Sequence, residues 1–181
     1  PRNKNFIKWR NELKASTYLD SLKGYALLND YGINVADYKV CHSTSDVISA
    51  AKIIEFPLVL KTLSENLHHK TEVNGVIVNI KNLEDLKENY IGLEKRLGKK
   101  VMISKMISGG IEWSIGVKND PDFGPAVMIS LGGTMIDILN EKLILMAPFT
   151  TNEVNKKLKT LRSYNLMTGY RGSNNYSIQK L

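Results

Sequence analysis

Hydrophobic positions recur along this chain with two different periods. Residues 16–32, STYLDSLKGYALLNDYG, place Leu19, Leu22 and Ala26 on one helical face, with Ser16 as N-cap and Gly32 as the stop. VADYKVCH then reads as a short strand. In STSDVISAAKIIEF, Val47, Ala50, Ala51 and Ile54 fall at i, i+3, i+4 and i+7, and Ser43 and Asp46 have capping-box spacing. Pro57 ends that helix, and Leu58–Leu60 follow as a buried strand that delivers Lys61 at its end. VNGVIVNI predicts another strand, and NLEDLKENYIGLEKRL predicts an amphipathic helix capped by Asn82.

After residue 100 the period shortens to two. VMISKMI, the turn SGG and IEWSIGV come in succession, with Ile111, Trp113, Ile115 and Val117 on one face and Glu112, Ser114 and Gly116 on the other. KNDPDFGP reads as a turn, followed by AVMIS, LGG and TMIDIL, in which Asp137 faces away from Ile136 and Ile138. TTNEVNKKLKTLRSY closes the pattern as a helix, with Thr150 and Glu153 at capping-box spacing and Val154, Leu158 and Leu161 on its apolar side. Residues 1–15 read as a loose basic arm and the last residues as a polar loop. Helices and strands alternate and then strands cluster, which predicts an α+β fold with mixed sheets.

Composition adds limits. With 43% hydrophobic and 24% charged residues the chain reads as globular, and no apolar run reaches membrane-spanning length. The start, PRNKNFIKWR, lacks the apolar core of a signal peptide. A single cysteine, Cys41, excludes an internal disulfide framework and a cysteine-based zinc site, and predicts a reducing, cytoplasmic setting. The net charge of +7 sits at the ends: residues 1–14 carry five basic and one acidic residue, residues 151–181 six and one. Basic ends around a near-neutral middle suit solvated faces or one small anion better than a phosphate-tracking stripe, so no nucleic-acid partner and no membrane are expected.

The candidate chemistry lies at strand ends. A lysine ending a buried strand needs a partner for its charge: Lys61 either contacts phosphate oxygens or snorkels to solvent. His68, His69 and Lys70 form a polar turn, or present a neutral imidazole as nucleophile; adjacent histidines in an extended chain diverge, which argues against metal binding. Gly75, Gly109–Gly110 and Gly132–Gly133 provide turn geometry, or backbone N–H groups for an anion. Neither GxxxxGK[ST] nor GxGxxG occurs. Glu112, Asp137 and Glu141 are carboxylates that suit a nucleotide-borne Mg²⁺ or simply an open sheet face. Arg171, in GYRG, either clamps an anion or belongs to the tail.

The order of these pieces is more specific than any one of them. YALLNDYGINVADYKV, DVISAAKIIEFPLVLKTLS, LHHKTEVNGVIVNI, SKMISGGIEWSIGVKNDPDFGPAVMISLGG, LMAPFT and GYRG closely resemble the ATP-grasp domain of nucleoside-diphosphate-forming acyl-CoA ligases. The ADP-forming acetyl-CoA synthetase β-subunit is the nearest type; the same domain is fused into some protein lysine acetyltransferases. The resemblance covers roughly residues 16–181 and implies two α+β subdomains holding ATP: residues 36–100 form the first, 16–35 plus 101–181 the second. It implies adenine beside Lys105–Met106, phosphate contact by Lys61, cover from Val73–Gly75, and phosphoryl transfer through His69. It further implies Mg²⁺, ATP/ADP, and a partner subunit or fused domain that binds CoA and a carboxylic acid.

Three positions depart from the family pattern: Asn74 replaces a second glycine, Leu145 an arginine, and Glu141 an aspartate. The family also continues past the equivalent of Leu181 with further metal ligands. The chain is therefore expected to be part of a longer protein or a shortened homologue. The resemblance implies an ADP-forming acid–CoA ligase; a non-catalytic or regulatory ATP-grasp module is the alternative.

Overall fold

The computed structural model describes residues 4–15, 19–64, 73–133, 140–169 and 176. It falls into two compact units, Pro1–Ile107 and Ser108–Leu181.

In the first unit, α1 (Lys4–Ala15) and α2 (Ser21–Asp30) precede β1 (Tyr38–Cys41), α3 (Thr44–Ile54), β2 (Leu58–Thr62), β3 (Val76–Ile80), α4 (Leu83–Leu97) and β4 (Val101–Lys105). The strands form one sheet in the order β1-β4-β2-β3, and every pair is antiparallel. Alternation along β2 sends Leu58 and Leu60 to one face, where they join Ile80, Val101 and Ile103 under the apolar stripes of α3 and α4. Those stripes are Val47, Ala50, Ala51 and Ile54 on α3, and Leu86, Tyr90 and Leu93 on α4. Each helix starts where a side chain satisfies an orphan N–H: Ser43 Oγ accepts from Asp46 N at 3.2 Å, and Asn82 Oδ1 from Asp85 N at 2.9 Å. Burial pushes the lone Cys41 thiol up to about 11, helped by the nearby Asp46 carboxylate, so it sits in the core as a neutral, inert group.

Three expectations change here. The basic arm is a helix: Trp9, only 3% exposed, donates its indole N–H to Asp30 at 2.8 Å, and Lys8 pairs with the same carboxylate. The second helix starts at Ser21 rather than near Ser16, because Asp20 caps it by accepting from Leu22 N and Lys23 N, both at 2.8 Å. The boundary near residue 100 moves, since β4 pairs with both β1 and β2; residues 101–107 and the segment before β1 belong to the first unit.

The second unit is an antiparallel meander, β5 (Trp113–Asp120), β6 (Gly124–Leu131) and β7 (Lys142–Met146), followed by α5 (Thr151–Leu158) and α6 (Tyr164–Met167). Among the described residues the sheets are therefore antiparallel rather than mixed. The capping box on α5 is formed, with Glu153 N donating to Thr150 Oγ1 at 3.3 Å and Thr150 N to Glu153 at 2.7 Å. Its Leu158 packs with Ile129, Leu143, Leu145 and Leu161, and Trp113 closes one side. Ile115 and Val117 share the Trp113 face but stay exposed, at 52% and 76%. Leu145 is 1% exposed, so the aliphatic residue at this position fills the core. The strand expected at 134–139 lies outside the described residues.

Candidate functional site

In the first unit, Lys61 stands on the sheet face opposite the aliphatic core, because Leu60 and Thr62 on either side of it point inward and are fully buried. It is half-buried, opposite Met102 on β4 and Val76 on β3. One residue beyond Val76, Gly75 is tied to β2: Thr62 N donates to Gly75 O at 2.8 Å. The Val73–Gly75 turn therefore sits beside the strand end that carries Lys61. Asn74 has φ +50°, in the left-handed region. Asparagine tolerates that region better than most residues, which explains how it stands where a glycine was expected.

Arg96, on the last turn of α4, donates to the carbonyls of Val73 and Asn74, both at 3.3 Å, while its Nε donates to Gly92 O at 3.3 Å. Nothing in the sequence pointed to it, since a basic residue in a last helical turn is ordinary dipole complementarity. Lys105, expected to border adenine together with Met106, spends its side chain within the first unit. Its ammonium donates to the carbonyls of Glu55 and Phe56 at 3.1 and 3.0 Å, closing the end of α3. The backbone N–H groups of Lys105 and Met106 go to Asp37 O and Pro57 O at 2.9 and 3.0 Å.

In the second unit, Gly110–Glu112, Leu131–Gly133 and Leu166 line an open cleft of about 430 Å³. Glu112 and the glycine pair account for one another. Gly132 N donates to Glu112 O at 2.6 Å, and a Cβ on Gly132 would come within 3.2 Å of the Glu112 Cβ. At Gly133, φ is +60° and a Cβ would collide with the Glu112 carboxylate. Both glycines were expected to offer N–H groups to phosphate; the Gly132 donor is spent on Glu112, and Gly133 lies beside an acceptor-only carboxylate. Apolar walls with one carboxylate suit a base and its ribose hydroxyls, or a cation. Ile111 and Leu166 complete these walls; Leu166 lies in a stretch whose sequence showed no such role.

Glu141 is held elsewhere. Its carboxylate accepts from Arg162 N and from Ser163 N, the latter at 3.0 Å. Burial pushes its pKa up, but the Ser163 and Arg162 backbone donors outweigh that and leave it lowered. Among the described residues no three His, Cys, Asp or Glu side chains cluster as metal ligands. His69, Asp137 and Arg171 lie outside the described residues.

The ATP-grasp domain profile matches residues 11–181. The β-subunit of acetate–CoA ligase [ADP-forming] I from Pyrococcus furiosus is 31% identical over 163 residues, covering 86% of this chain and 70% of that protein. Acetate–CoA ligase [ADP-forming] I from Archaeoglobus fulgidus is 32% identical over 158 residues, 83% of this chain but 23% of that protein. The chain thus spans about a quarter of such full-length ligases. Among solved structures, the dinucleotide-forming acetyl-coenzyme A synthetase 1 of Ca. Korarchaeum cryptofilum, in complex with coenzyme A and Mg-AMPPCP, superposes with a TM-score of 0.75 at 28% identity. That match covers 89% of this chain and 71% of that one. In that complex a phosphohistidine segment points towards the nucleotide-binding site.

A profile match over nearly the whole chain, on two α+β units of this topology, places the chain in the ATP-grasp domain family. Within it, the strong homology is to the β-subunits of ADP-forming acetyl-CoA synthetases.

Proposed function

We propose that this chain is the nucleotide-binding part of an acyl-CoA ligase that interconverts a carboxylic acid, CoA and ATP with acyl-CoA, ADP and phosphate. The observation that carries this reading is the convergence of Lys61 and the Val73–Gly75 turn at one strand end, within a chain homologous over 86% of its length to a ligase β-subunit. Lys61 holds nucleotide phosphates as a point charge. The His69 imidazole attacks the γ-phosphorus, the bond to the β-phosphate oxygen breaks, and ADP leaves; the phosphoryl group then passes from His69, by way of a first carrier histidine, to the acid. The CoA thiol displaces phosphate from the resulting acyl phosphate to give acyl-CoA, and the reverse sequence makes ATP. Val73 and Gly75 cover the phosphates, and Lys105 and Met106 border the base.

Glu112 receives ribose hydroxyls. Asp137 would help hold the Mg²⁺ that accompanies the nucleotide, an ion that would neutralise phosphate charge. Arg171 contacts an anion. CoA and the acid bind on a partner subunit or fused domain. No helix among the described residues is long and apolar enough to cross a membrane, and a sequence with a single cysteine suits a reducing cytoplasm.

The test is incubation of the full-length protein with γ-labelled ATP. Acid-labile, base-stable label on His69 that disappears in His69→Ala is expected. Label undiminished in that variant overturns the carrier role.

A further inference from the structure

Three observations in the first unit converge on Arg96. Its guanidinium is anchored to its own helix through Gly92 O and spans two successive carbonyls, those of Val73 and Asn74. A trans peptide unit is planar, with its C=O and N–H pointing in opposite directions. Pulling the Val73 and Asn74 carbonyls towards Arg96 therefore turns the N–H groups of Asn74 and Gly75 away from it. Arg96 belongs to α4, which covers the aliphatic face of the sheet, whereas Lys61 stands on the opposite face. The two amides thus turn towards the side of the sheet that carries the lysine ammonium. Among the described residues neither N–H is used in a hydrogen bond, and successive N–H groups around a left-handed residue make an anion-binding concavity.

We propose that Arg96 is a positioning residue for nucleotide phosphate: it touches no phosphate itself, but fixes the peptide planes of Val73–Gly75 so that two backbone donors and Lys61 address the same oxygens. The inference rests on the nucleotide reading given above and extends it to a residue that would not itself touch the nucleotide. Arginine is required because two carbonyls and a helix anchor need three N–H vectors in one plane. A lysine ammonium reaches one carbonyl well and the second poorly.

The experiment is calorimetric titration of the full-length protein with Mg-ATP and, separately, with adenosine, for wild type, Arg96→Ala and Arg96→Lys, alongside each variant's thermal unfolding midpoint. Arg96→Ala should weaken Mg-ATP about tenfold, the effect of losing well-aimed charge-assisted hydrogen bonds. Arg96→Lys should recover part of that loss, and adenosine should bind all three proteins equally. Equal Mg-ATP affinity in wild type and Arg96→Ala overturns the proposal and leaves the nucleotide reading intact. So does an equal loss for adenosine, which marks a general structural role. Wild-type protein that binds no Mg-ATP contradicts the nucleotide reading and removes the proposal with it.

Discussion

The two units solve the same problem, burying one face of an antiparallel sheet, with different means. The first covers its four strands with two long helices, so that Leu58, Leu60, Leu86, Tyr90 and Leu93 are completely buried. The second covers three strands with short helices and leaves much of its sheet bare: Ile115, Val117, Met128, Ile144 and Met146 are all at least 38% exposed. Their chemistry differs in the same way. The first unit offers positive charge and backbone donors at Lys61 and Val73–Gly75; the second offers an apolar cleft edged by the Glu112 carboxylate. The anionic end of a nucleotide suits Lys61 and the Val73–Gly75 turn, and a ribose hydroxyl suits the Glu112 carboxylate. A well-packed scaffold suits point charges that must be held in place, while an open, glycine-lined cleft leaves room for a hydroxyl-bearing group.

The largest effect expected from breaking this contrast is in the first core. Leu60→Ala should cost about 3 kcal/mol in denaturant unfolding, since close packing on three sides prevents collapse of the cavity. Amide exchange should accelerate in β2, β3 and β4 far more than in β5 and β6; equal acceleration in both sheets would mean that the two cores are not separate. Next comes Gly133→Ala, which should cost about 1–2 kcal/mol for the left-handed backbone, since the flexible Glu112 carboxylate that its Cβ would meet can swing aside. Glu112→Ala in the same chain should leave that backbone cost unchanged, as a double-mutant cycle would read.

These effects also mark what the chain declares in one dimension and what it does not. Ser43, Asn82 and Thr150 were legible as caps because capping is local, a side chain serving an N–H two or three residues on. Lys61 was legible for the same reason, as a charge at the end of an apolar run. β7 was not recognised, because Ile144 and Met146 remain exposed and blur the alternation that Leu143 and Leu145 set inside. The helix of residues 4–15 was missed because its reason is Trp9 reaching Asp30, a contact 21 residues away. Glu112 was seen as a candidate, but that it spends the Gly132 donor could not be read before β5 and β6 were paired. Arg96 reaches back 22 and 23 residues and left no trace in spacing.

The smallest expected effect concerns Glu141. Its pKa is lowered in the folded protein from an ordinary 4.5. Its contribution is therefore fully present above that value and lost as pH falls through the lowered folded value. In thermal unfolding scans, Glu141→Gln should flatten that acid segment of the stability profile slightly and leave neutral pH behaviour otherwise parallel. An unchanged slope below pH 4.5 would mean that its hydrogen bonds to Arg162 and Ser163 do not persist in solution.

The claim on which the account turns is that Lys61, in the first unit, reads the phosphates of a nucleotide. Titrating wild-type and Lys61→Ala protein with Mg-ATP and with adenosine addresses it directly. The account predicts that the substitution weakens Mg-ATP about tenfold or more while adenosine affinity stays the same. Mg-ATP affinity that is indifferent to the loss of the Lys61 ammonium would contradict it.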